Sequence, residues 1–109
     1  MRRLGLTLAT LLLAATANSA MARNLDRHEV QMCKWGADVA RHAQQEKLSG
    51  VTLYSARRKL AHQRFSQPWM RSMAMGITEQ TYHSRSRMRP AAVGKTYHEG
   101  CVRHERARR

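Results

Sequence analysis

The chain has 109 residues, and its 20 lysines and arginines outnumber its 7 aspartates and glutamates, giving a formal charge of +13 with histidine neutral. A charge of that size on one small domain opposes compaction and attracts anions. There are only two cysteines, Cys33 and Cys101, so a single intramolecular pairing exists and a Cys-x-x-Cys-His haem attachment is excluded.

The N-terminus has the three-part layout of a secretory signal peptide. Arg2 and Arg3 form a positive head. Leu4 to Ala15 is apolar apart from Gly5, Thr7 and Thr10. Ala20-Met21-Ala22 then fits the small-x-small cleavage pattern, with Ala17-Asn18-Ser19 as a weaker rival. The apolar run falls short of the roughly 20 residues a bilayer core requires, and no lipobox cysteine stands near it. Residues 1–22 are therefore expected to be a signal peptide cleaved after Ala22, and residues 23–109 a periplasmic or secreted helical domain ending in a basic tail over about 104–109.

Losing Arg2 and Arg3 lowers the charge from +13 to +11. Leu, Ile, Val and Phe supply only 11 of the residues after position 22, a composition close to that of disordered chains. Five Met, two Trp, three Tyr and many Ala add apolar bulk. An exported protein with two cysteines also favours a disulfide between Cys33 and Cys101. Closing so long a loop stabilises by roughly 4 kcal/mol, a large share of the total for a domain of this size.

The remaining chain reads as four helices. Asp26 caps the first, with Glu29 three residues on completing a capping box. Met32, Trp35, Val39 and Ala43 recur at helical spacing. Cys33, Gly36, Ala37 and Ala40 widen that face, and Lys34, Asp38, Arg41 and Gln45 lie opposite. Ser49-Gly50 ends the helix after Leu48. Thr52 caps a short second helix through His62, with Leu53, Ala56 and Leu60 inward and Arg57, Arg58 and Lys59 outward. Ser66 is expected to cap the third, with Pro68 in its first turn and Met70, Met73, Ala74 and Ile77 as its inner stripe. Residues 83–90, HSRSRMRP, form a basic break. Pro90 opens the fourth helix, on which Val93, Tyr97 and Cys101 share one stripe and Gly94 and Gly100 leave room for a neighbouring helix. No strand alternation exceeds a few residues. The fold class is all-α, a small four-helix arrangement stapled by one disulfide.

Cys101 also stands three residues from both His98 and His104, the alternative being a metal site. On a helix these residues spread over about 120°, so the imidazoles flank the thiol instead of converging. A metal would need Cys101 reduced and further ligands. The staple is the reading adopted, with no metal or cofactor.

The pattern of Cys33, Gly50-Val51, Tyr82, Tyr97 and Cys101 resembles small exported proteobacterial two-cysteine helical proteins of unknown function. In these a cysteine stands early in the first helix, a Gly-Val break and short second helix follow, a tyrosine closes the third helix, and an aromatic precedes the final cysteine. The resemblance spans most of residues 30–102. It implies a fold and brings no activity.

No Gly-x-Ser-x-Gly, phosphate-cradling glycine loop, His-Glu-x-x-His or paired-carboxylate motif occurs, so the chain reads as a non-enzymatic binding or structural protein. The alternative is a basic secreted effector binding an anionic envelope surface or polyanion. Its candidate residues fall in three clusters: Arg57, Arg58, Lys59 and Arg64; Arg85, Arg87 and Arg89; Arg103, Arg106, Arg108 and Arg109. Anionic envelope lipids or polymers are the partners such clusters suit. No DNA-binding element stands out, so any nucleic-acid contact would be non-specific and salt-sensitive.

Overall fold

A computed structural model describes residues 24–108 of the chain, so the expected signal peptide and Arg109 lie outside the described residues. Four α-helices follow in order: α1 (Arg27–Leu48), α2 (Leu53–His62), α3 (Pro68–His83) and α4 (Pro90–Ala107). No strand occurs among the described residues. The all-α four-helix fold is as the periodicity implies.

The helix boundaries have local causes. The Asp26 side chain accepts from the Glu29 amide at 2.8 Å and the Asp26 amide donates back to Glu29 Oε1 at 3.1 Å, forming a capping box. Gly50 ends α1 with a φ of 86°, a left-handed conformation that glycine adopts without a Cβ clash. The Thr52 hydroxyl accepts from the Ser55 amide and caps α2. α3 differs from expectation. Its N-cap is Gln67, which makes no side-chain capping bond, because Pro68 is already the first helical residue and Ser66 stands one position too early. The Ser66 hydroxyl lies 3.3 Å from Met70 Sδ instead. α4 starts at Pro90 and continues to Ala107, so residues 104–107, expected as a tail, are helical.

α1 and α4 are antiparallel neighbours. Cys33 meets Cys101 in a disulfide, with a Cα separation of 5.6 Å across 68 residues of sequence and inside the range the bond requires. Further along, Gly94 backs onto Ala37, and a Cβ there would sit 3.1 Å from the Ala37 carbonyl oxygen. Gly36 makes the reciprocal space: its missing Cβ is filled by the Tyr97 ring, which a methyl would meet at 2.6 Å. Gly100 does not serve as expected. The nearest atom to a Cβ there is an Arg103 nitrogen at 3.9 Å, so it faces away from the helix contact.

The buried apolar residues are small: Cys33, Ala40, Ala43, Ala56 and Ala74, with Ile77 the largest. Expected inward residues Met32, Trp35, Val39, Leu53, Leu60, Met70 and Met73 are half-buried around them. Small side chains let the helix backbones approach closely, so dispersion contacts accumulate without large aliphatic groups. This is how a chain with so few large aliphatic residues forms a core.

Candidate functional site

Gln44 and Lys47 lie one turn apart at the C-terminal end of α1, continuing the stripe of Cys33, Gly36 and Ala40. Gln44 is 1% exposed. Its Nε2 donates to the carbonyls of Ser86 at 3.1 Å and Met88 at 2.8 Å. Lys47 Nζ donates to three carbonyls, Thr81 at 3.0 Å, Ser84 at 3.0 Å and Ser86 at 2.9 Å. Its three protons are thereby used on the end of α3 and the segment after it. Burial and the neighbouring Arg87 charge hold its pKa below the usual lysine value.

These bonds turn the basic break into a fixed strap. Within it the Ser86 amide donates to the Ser84 hydroxyl and the Met88 amide to the Ser86 hydroxyl. The carbonyls of Ser84, Ser86 and Met88 are taken by α1, while Arg85, Arg87 and Arg89 alternate with them and are exposed. In an extended segment, alternate residues project oppositely and lie roughly 6.5 Å apart. The three arginines are thus borne in a row on a backbone that α1 holds down.

The other basic clusters are paired with carboxylates in part. In α2, Arg57 pairs with Glu79 of α3 at 2.6 Å and Lys59 with Glu46 of α1 at 3.3 Å. Arg58 lies over the Tyr54 ring at 5.8 Å, and Arg64 is exposed. Near the C-terminus Arg108 pairs with the buried Glu105 at 3.1 Å, while Arg103 and Arg106 are exposed. Among the described residues, no carboxylate reaches Arg85, Arg87 or Arg89. The three clusters therefore do not form one equivalent surface: α2 is partly neutralised across helix contacts and the strap is not.

A cleft of about 330 Å³ opens between α1, α2 and α3, lined by Trp35, Val39, Leu60 and Phe65 with His42, Glu46 and Lys59 at its edge. Glu46 accepts from Lys59 Nζ at 3.3 Å, and His42 Nε2 lies 2.9 Å from its other oxygen. Trp35 packs edge-to-face against both Phe65 and Trp69, so the aromatic residues of this half wall the cleft and do not fill it. The carboxylate at its edge is already engaged by Lys59.

The disulfide decides between the readings of Cys101. Its sulfur is bonded to Cys33, so it offers no thiolate to a metal at His98 and His104. No group of three or more His, Cys, Asp or Glu among the described residues is arranged to hold a metal ion. Beside the disulfide, burial, assisted by the Glu105 charge, pushes the Tyr97 phenol above its ordinary pKa.

The clamp was not among the residues singled out by sequence. Its signals were present: Gln44 and Lys47 fall on the inner register of α1, and Ser-Arg-Ser-Arg-Met-Arg has a period of two. No family model, curated protein or solved structure matches the chain. No helix among the described residues is long and apolar enough to cross a membrane.

Proposed function

We propose that the chain acts after export, in the periplasm or outside the cell, as a non-enzymatic binding protein that holds an anionic partner on the strap between α3 and α4. The observation that carries this reading is the contrast between basic clusters. Arg57 and Lys59 have carboxylate partners on neighbouring helices, whereas Arg85, Arg87 and Arg89 have none among the described residues and stand on a backbone fixed by Gln44 and Lys47. Exposed arginines held in a row bind an anion with little ordering cost. Guanidinium also suits phosphate and sulfate groups by its forked donor geometry. The signal-like N-terminus and the disulfide support the compartment, because such bonds persist where the environment is oxidising.

Retention on immobilised heparin, eluted with a salt gradient, tests the reading. The protein should bind at low salt and elute progressively as counterions compete for the arginines. Replacing Arg85, Arg87 and Arg89 with Gln should shift elution to markedly lower salt. The same replacement at Arg57, Arg58 and Lys59 should shift it less, since Arg57 and Lys59 are already engaged. Failure to bind at low salt, or a larger loss from the α2 variant, overturns the proposal.

A further inference from the structure

Resting on that anion-binding reading, we infer that the strap end of the bundle docks on the surface of an anionic phospholipid bilayer, with Arg85, Arg87 and Arg89 at lipid phosphates and Leu48 and Tyr54 entering the headgroup boundary. Three large hydrophobic side chains are exposed among the described residues: Leu48 at 39%, Tyr54 at 69% and Met88 at 45%. Scattered singly, such residues need no explanation. Here Leu48 and Tyr54 flank the α1–α2 turn at one end of the molecule, while Met88 lines a separate groove with Ile77, Val93 and Tyr97.

The contacts already described assemble that end. Leu48 is the last residue of α1, Tyr54 lies in the first turn of α2, and Met88 is part of the strap. The Tyr82 hydroxyl donates to the Val51 carbonyl at 2.8 Å, tying the end of α3 to the α1–α2 turn. Gln44 and Lys47 tie the strap to the end of α1. Leu48 lines a shallow depression of about 210 Å³ together with Lys47, Ser84, Arg85, Ser86 and Arg87. Apolar and cationic side chains are therefore immediate neighbours.

The distribution of acids sharpens the argument. No Asp or Glu occurs from Lys47 to Thr78 or from Gln80 to His98. The single carboxylate between those stretches, Glu79, is paired with Arg57. Glu46, which precedes Lys47, is paired with Lys59. Asp26, Glu29, Glu99 and Glu105 belong to the start of α1 and the latter part of α4, toward the opposite end of this antiparallel pair, and Asp38, midway along α1, is paired with Arg41 at 3.8 Å. An anionic surface meeting the strap end thus faces cations with no opposing unpaired acid.

A soluble polyanion would use only the arginines and leave Leu48 and Tyr54 in water. A bilayer surface offers phosphate and an apolar boundary together, and binding there scales with both. Tyr54, with an apolar ring and a polar tip, suits the same depth. Hydrogen bonds already fix the strap's backbone, so docking would require little ordering.

Vesicle co-sedimentation of the full mature protein tests the inference, using phosphatidylcholine alone and equal parts phosphatidylcholine and phosphatidylglycerol. The protein should sediment with the anionic vesicles and stay in solution with the neutral ones. Replacing Arg85, Arg87 and Arg89 with Gln should lower partitioning on the order of a hundredfold, at roughly fivefold per arginine. Leu48→Ser with Tyr54→Ser should lower it several-fold while leaving heparin elution unchanged. Both side chains are exposed, and an unchanged helical spectrum verifies the fold. If that double variant binds anionic vesicles as tightly as the parent, the docking mode is wrong. If the parent binds heparin but no vesicle, the bilayer is wrong and the anion-binding reading stands. If it binds neither, both fall.

Discussion

Between α1 and α4 the contacts are made by absences of side chain. Gly36 receives the Tyr97 ring, Gly94 receives the α1 backbone, and the Cys33–Cys101 bond fastens the pair. Between α2 and α3 they are made by reach. Arg57 extends to Glu79, Arg71 donates to the Gln63 carbonyl at 2.8 Å, and Tyr82 donates to Val51 at the turn leading into α2. The first pairing leaves little space. The second leaves a cleft of about 330 Å³ where it meets α1. A chain poor in large aliphatic residues can therefore close helices together with small residues and a covalent bond, or hold them at a distance with long side chains. The functional consequence lies at the junction of the two: α1 carries Gln44 and Lys47, which fix the strap joining α3 to α4.

The staple should give the largest difference between the halves. Cys101→Ser, or reduction, removes the constraint on a 68-residue separation and should cost about 2–5 kcal/mol. Urea denaturation followed by circular dichroism measures this. The close α1–α4 fit should not survive as a substitute for the bond, because the chain's +13 formal charge drives its segments apart. A midpoint unchanged by reduction would mean that Gly36, Gly94 and Tyr97 alone hold the ends, and would dissolve the contrast.

The outlines of both halves are legible in sequence because their signals are local. Asp26 with Glu29, Ser49-Gly50, Thr52, Pro68 and Pro90 each mark a boundary through a bond or clash spanning only a few residues. Ser66 misled for a local reason too: serine is a good cap, but proline at the first helical position leaves the cap to the residue just before it. The staple was legible because the chain has only two cysteines, each on the inner stripe of its helix.

What was not legible depends on partners distant in sequence. Gln44 and Lys47 are polar, and polarity alone does not assign them to an inner face. Their burial makes sense only once the Ser84, Ser86 and Met88 carbonyls are brought to them. The three basic clusters likewise look alike in sequence. Only the cross-helix pairs Arg57–Glu79 and Lys59–Glu46 separate a neutralised cluster from one without carboxylate partners. The partners of the two tyrosines were equally hidden: Tyr82 bonds the Val51 carbonyl, and Tyr97 seats on Gly36, one turn from Cys33.

The next largest effect should come from Gly36→Ala. The added methyl would lie 2.6 Å from the Tyr97 ring and 2.8 Å from the end of Met73. Met73 can swing away at small cost, but Tyr97 is held between the helices beside the disulfide. Overpacking of this kind costs about 1–3 kcal/mol, against the gain that alanine ordinarily gives in a helix. Loss of stability in denaturant with the disulfide intact is the expected result. A neutral outcome would show that Tyr97 moves freely, and that the α1–α4 contact is looser than its geometry.

Gly76→Ala is the same change in the other half and should have the opposite sign. Gly76 lies inside α3, is exposed, and has no atom within 4 Å of where a Cβ would sit. Its backbone is helical and its φ is not positive, so alanine fits without strain. The substitution removes conformational freedom from the unfolded chain and raises helix propensity, together about 0.5–1 kcal/mol of stabilisation. The effect is small, so it is best read in the background of the reduced protein, where total stability is low and a midpoint shift is a larger fraction of it. Because Gly76 touches neither the strap nor the cleft, heparin elution should not change. A stabilised protein with unchanged elution would establish that α3 presents an open face here. Destabilisation would mean that this face of α3 is covered, and that the space left by Gly76, like that left by Gly36, is occupied.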